Sequence, residues 1–94
     1  MSDIKHDAMP LSEIEQEVLK ALLGKEKLTI RELITAVSRS PNAIIAAVNK
    51  LIQLKLIEET REHEFPKRRY VKLTVKGIRA ANLVNQLDEL LRED

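Results

Sequence analysis

TIRELITAVSRSPNAIIAAVNK, running from Thr29 to Lys50, decides how the rest of the chain is read. Thr29 stands three residues ahead of Glu32, the spacing of a capping box in which hydroxyl and carboxylate each take a backbone N–H of the first helical turn. Leu33, Ile34 and Val37 follow at helical spacing, so a helix runs to about Ser38. Arg39 and Ser40 form a tight turn. Ser40 then caps the next helix, with Pro41 at its first position, where a missing N–H costs nothing. Ile44, Val48, Leu51 and Ile52 make that helix's inner stripe. Two short helices joined by about three residues have the spacing of a helix-turn-helix motif, a spacing that an ordinary packed pair also satisfies.

On the N-terminal side, Ser12 and Glu15 form a second capping box behind Pro10, and Ile14, Val18, Leu19 and Leu22 recur at helical spacing. Gly24 suits the position just past the helix end, where positive φ is needed. Lys25 to Lys27 is a polar loop, and Leu28 fits a short strand. On the C-terminal side, Ile57 to Glu62 is extended, Phe65-Pro66-Lys67 turns, and Arg68 to Leu73 alternates as a returning strand. The result is a β-hairpin tipped with positive charge. Thr74 caps a last helix to about Arg92. Ala80, Leu83, Leu87 and Leu90 step along it by three, four and three, with Val84 and Leu91 alongside. The expected fold class is mainly α with a small β-hairpin, in the order helix, helix, helix, hairpin, helix.

A chain of 94 residues holds one small core. Its 44 % hydrophobic content suits a globular fold. It contains no cysteine, which removes disulfides, thiolate metal sites and thiol catalysis. No apolar run reaches the roughly 18 residues of a membrane span. Met1 to Pro10 lacks the apolar centre of a signal peptide and reads as a flexible arm. A soluble cytoplasmic protein without cofactor, metal or membrane contact is expected. The net charge of +1 hides an uneven distribution. Residues 65–87 carry six bases (Lys67, Arg68, Arg69, Lys72, Lys76 and Arg79) and no acid. Such a block can meet a polyanion locally, although a solvated face has the same composition.

Enzyme chemistry finds few candidates. Glu58, Glu59, Glu62 and Glu64 alternate faces along a strand and do not converge. His6 lies in the arm, and His63 stands among glutamates near the hairpin. Ser38 and Ser40 have turn and cap duties. With two glycines in the whole chain there is no glycine-rich phosphate loop.

In sequence order the chain resembles winged helix-turn-helix proteins. LIQLKLIEE (Leu51 to Glu59) is similar to the end of their recognition helix entering the wing. RRYVKLTVKG (Arg68 to Gly77) resembles the second wing strand turning into the last helix in MarR- and PadR-like regulators. LSEIEQEVLKALL (Leu11 to Leu23) is similar to their first core helix. The resemblance implies a transcription regulator that binds double-stranded DNA, with a winged-helix domain over residues 11–75 and a dimerisation helix over residues 76–94. It implies that the third helix lies in the major groove and presents Asn42, Ala46, Asn49 and Lys50. Arg39 and Ser40 would touch DNA at the turn and Thr29 at a phosphate, with Lys67, Arg68 and Arg69 reaching from the wing. A homodimer would form through Ala80, Leu83, Val84, Leu87, Leu90 and Leu91, a near-heptad stripe.

Two departures from the pattern stand out. Ile45 and Ala46 occupy positions that are often polar or basic in relatives. They suit thymine methyls, backbone and shape readout, or a protein contact. Lys55 replaces the glycine common after the recognition helix, which implies strain if its φ is positive. A protein-interaction module and an architectural DNA binder without sequence preference therefore stand beside the regulator.

Overall fold

The computed structural model describes residues 10–65 and 67–93. The expected arm, apart from Pro10, lies outside them, as do His6 and Pro66 of the expected turn. Seven elements follow one another: α1 (Glu13–Leu22), β1 (Leu28–Thr29), α2 (Ile30–Val37), α3 (Pro41–Gln53), β2 (Ile57–Arg61), β3 (Arg69–Leu73) and α4 (Val75–Arg92). Both capping boxes form, Ser12 with Glu15 and Thr29 with Glu32. Ser40 caps α3 with Pro41 in its first turn, and Thr74 caps α4. These caps satisfy N–H groups that each helix start would otherwise leave without a partner, and so they fix where the helices begin.

The two ends of the helix-turn-helix use left-handed residues. Ser38 closes α2 at φ 61°, and Lys55 follows α3 at φ 64°. The Lys55 N–H donates to Ile52 O and the Leu56 N–H to Leu51 O, each at 3.0 Å. That pair of bonds is a Schellman closure, which offsets the strain of a non-glycine residue there. Gly24 takes φ 83° after α1, as its place in the sequence predicts.

The sheet has the order β1-β3-β2, antiparallel throughout. The hairpin register runs from Ile57 opposite Leu73 to Arg61 opposite Arg69. Two residues of β1, Leu28 and Thr29, pair with Val71 and Tyr70. This ties the start of α2 to the base of the wing. Ile57 and Val71 point inward to the helices.

The core joins Val18, Leu19 and Leu22 of α1 to Leu33 of α2 and to Ile44, Val48 and Leu51 of α3. Ala47 is also buried, widening the inner face of α3 beyond the stripe expected from its larger residues. The first turns of α4 belong to this core, since Gly77, Ala81 and Val84 are buried. A Cβ at Gly77 would lie 1.8 Å from the Leu56 carbonyl oxygen, so only glycine allows this approach. Lys20 and Asp88 form an ion pair between α1 and α4. The expected interface stripe is corrected here. Val84 is only 4 % exposed and Ala80 packs against the core, so neither faces outward. Leu83, Leu87, Leu90 and Leu91 remain exposed on α4.

Candidate nucleic-acid interface

Burying Ile44, Ala47, Val48 and Leu51 turns the opposite face of α3 to solvent. Asn42, Ile45, Ala46, Asn49 and Lys50 lie on that face. Asn42, Ala46 and Asn49 follow at intervals of four and three, one turn apart along a single stripe. Ile45 is 37 % exposed, beside three smaller or amide side chains. Ser40 reaches the same end of the helix, with its hydroxyl accepting the Ala43 N–H at 3.2 Å. The Thr29 hydroxyl likewise accepts the Glu32 N–H at 3.0 Å. Both hydroxyls serve as caps and stand at the front of α3 and α2.

Arg39 behaves differently from expectation. Its Nε lies 3.1 Å from Glu17 Oε1 and its Nη2 lies 2.9 Å from Glu17 Oε2, a two-pronged bond, with Glu13 at 3.5 Å. The guanidinium is thus turned back onto α1 and clamps the turn of the motif to the first helix. Arg39 beside it holds the Glu17 carboxyl below its usual range, chiefly through that hydrogen bond. Lys50 leans the same way, with Nζ 3.9 Å from Oε2 of Glu15, a carboxylate that is mostly buried and accepts the Ser12 N–H at 2.9 Å.

The wing sorts its bases into held and outward-facing. Arg69 is bound to Glu59 across the hairpin at 2.6 and 3.1 Å. Lys72 lies 3.9 Å from Glu58. Tyr70 donates its hydroxyl proton to Glu62 at 3.2 Å, and Lys27 caps its ring face at 4.2 Å. Lys67 and Arg68 are exposed at the hairpin end. Arg31, on the first turn of α2, joins Thr29, Arg68 and Arg69 around a shallow groove between α2 and the wing. Sequence reading misses Arg31, because only closure of β1 onto β3 brings α2 beside the basic hairpin. Around this groove Arg31 and Arg68 are exposed, with Lys67 beside Arg68 in the chain, while Arg69 is paired with Glu59 and Arg39 with Glu17.

Comparison with known proteins agrees with this architecture. A family model described as HVO_A0114 matches residues 10–76, more than half of the chain. No curated protein matches the sequence. Among solved structures, a cysteine-to-serine mutant of MarR from E. coli is 20 % identical with a TM-score of 0.75, covering 83 % of this chain and 57 % of that one. MepR of S. aureus, in complex with DNA, is 20 % identical with a TM-score of 0.74, covering 87 % of this chain and 68 % of that one. AF1382 from Archaeoglobus fulgidus is 18 % identical with a TM-score of 0.77, covering 90 % of this chain and 94 % of that one. The chain spans little more than half the length of the MarR structure. The fold is that of MarR-like winged-helix regulators: four helices, with a small antiparallel sheet as the wing. Among the described residues no helix is long and apolar enough to cross a membrane.

Proposed function

The chain belongs to the HVO_A0114 family, and we propose that it is a sequence-specific double-stranded DNA-binding transcription regulator, not an enzyme, acting as a homodimer. In this reading α3 enters the major groove. Lys67 and Arg68 reach the DNA backbone or the adjacent minor groove, and Arg31 joins them from the start of α2. Ser40 and Thr29 approach phosphates at the helix starts, and Lys50 follows the backbone beside α3. Leu83, Leu87, Leu90 and Leu91 meet the same face of a second copy.

The observation that carries this reading is the exposed stripe of Asn42, Ala46 and Asn49 on the second helix of the helix-turn-helix, in a fold whose wing also exposes Lys67 and Arg68. Asparagine meets an adenine edge in two places, and each good pair contributes roughly 1–3 kcal/mol of discrimination. The MepR–DNA complex supports it by likeness of fold. The test is selection of bound sequences from random duplex DNA, followed by affinity measured against salt. An enriched inverted repeat and a steep loss of affinity with salt are expected. Absence of duplex binding at low salt would overturn the reading and favour a protein partner on the Ile45 face. Steep salt dependence without any enriched sequence would indicate an architectural binder.

A further inference from the structure

We infer that the half-site read by α3 is made of A·T pairs, with thymine methyl groups seated on Ile45 and Ala46 and adenine edges met by Asn42 and Asn49. This rests on the DNA-binding reading above and adds the identity of the bases. Guanine is read in the major groove at O6 and N7 by arginine or lysine, and the cytosine amino group is read by a carboxylate. The helix PNAIIAAVNKLIQ contains no arginine, aspartate or glutamate. Arg39, two residues ahead of its first residue, is turned away by its two-pronged bond to Glu17 at 3.1 and 2.9 Å. Lys50 is the one cation of the helix, sits in its third turn and lies 3.9 Å from the Glu15 carboxylate.

What α3 offers a base edge is therefore two amides and an apolar strip. Asn42 and Asn49 are exposed at either end of the strip, with Ala46 exposed and Ile45 37 % exposed between them. Each amide presents a donor and an acceptor side by side, matching N7 and N6 of adenine. The strip has nothing to offer the guanine O6 or the cytosine N4 group. A thymine methyl is the one apolar group on a major-groove base edge, and covering it removes both it and Ile45 from water. Any base pair under this strip leaves polar groups without partners, but only an A·T pair offsets that cost with a methyl group against Ile45 and Ala46, so the strip favours A·T over G·C.

The test uses the full chain and the duplex enriched by selection. Within each half-site, thymine is replaced by uracil, which lacks the methyl, and separately adenine by 7-deazaadenine, which lacks N7. Each contacted thymine changed to uracil should weaken binding about fourfold. Each contacted adenine changed to 7-deazaadenine should weaken it about fivefold or more. Ile45→Ala should narrow the difference between thymine and uracil, most at the thymine that Ile45 covers, and keep the response to 7-deazaadenine. Its circular dichroism should match the wild type, since the side chain is partly exposed. Enrichment of G·C pairs under α3, or equal affinity for modified and unmodified duplexes, would overturn the inference and leave the DNA-binding reading standing. Failure to bind any duplex at low salt would overturn both.

Discussion

Replacing Arg39 with alanine should leave the salt slope of DNA binding unchanged, because its guanidinium is spent on Glu17 and Glu13. Replacing Lys67 and Arg68 together should lower that slope by roughly one to two and weaken binding to all sequences alike. Titrating affinity from low to high salt for both variants separates the two groups, and a changed slope for Arg39→Ala would show that the clamp opens on DNA. The same clamp has a pH signature. The folded state lowers the Glu17 pKa through Arg39. The stability it contributes is fully present above the ordinary glutamate value, about 4.3. It is lost as pH falls through the lowered folded value. The pair is half-exposed, so solvent screening keeps the effect small. Thermal unfolding of Glu17→Gln should be less stable than wild type near neutral pH, with the two curves converging in acid. A constant gap down to about pH 3, below the ordinary glutamate value, would mean that the pair is not formed in solution.

Along the elements, α4 shows how two faces of one helix divide. Val84→Glu should unfold the chain, because it buries a charge against α1. Leu87→Glu should leave the fold intact, since Leu87 is already 40 % exposed, and should dissociate the proposed dimer. Circular dichroism with sedimentation distinguishes the two outcomes. Gly77→Ala should cost about 1–3 kcal/mol, since the new methyl meets a backbone oxygen that cannot rotate away. The helices, their caps and the hairpin were legible in the sequence because they rest on contacts within a few residues: Ser12 with Glu15, Thr29 with Glu32, Ser40 with Pro41. The faces of α4 were not. Its core face is made of small residues, Gly77, Ala80, Ala81 and Val84, while the leucines lie outside, the reverse of the usual ranking by size. Periodicity groups the two stripes together, and only packing on α1 separates them. The pairing of Arg39 was not legible for a related reason. Its partner Glu17 stands 22 residues away, and nothing local marks the pair.

At the scale of the whole molecule, the proposed dimer would set the geometry of the DNA site. Two symmetric α3 helices must enter the major groove on one side of the duplex, so half-sites should lie about 10 base pairs apart or a multiple of that. Inserting five base pairs between the enriched half-sites should weaken binding strongly, and inserting ten should largely restore it. Equal affinity for all three spacings would show that the copies bind independently. The chain's net charge of +1 is too small to steer it to DNA by itself, so in the proposed reading the local basic surface around the wing would do so.

The junction between α3 and α4 carries a consequence for motion. Thr74 N–H donates to Leu56 O at 3.1 Å, the Thr74 hydroxyl to Lys55 O at 2.7 Å, and Lys76 Nζ to Leu54 O at 3.2 Å. Gly77 rests on that same Leu56 oxygen. Three successive carbonyls leaving one helix are thus held by the first residues of another, and no peptide between them is left to act as a hinge. In hydrogen–deuterium exchange the amides of Leu56, Thr74 and Gly77 should open as one unit with a shared free energy, while Glu93 at the frayed end exchanges early. A twist imposed on the start of α4 would therefore pull directly on the carbonyls that end α3, as along a short crank.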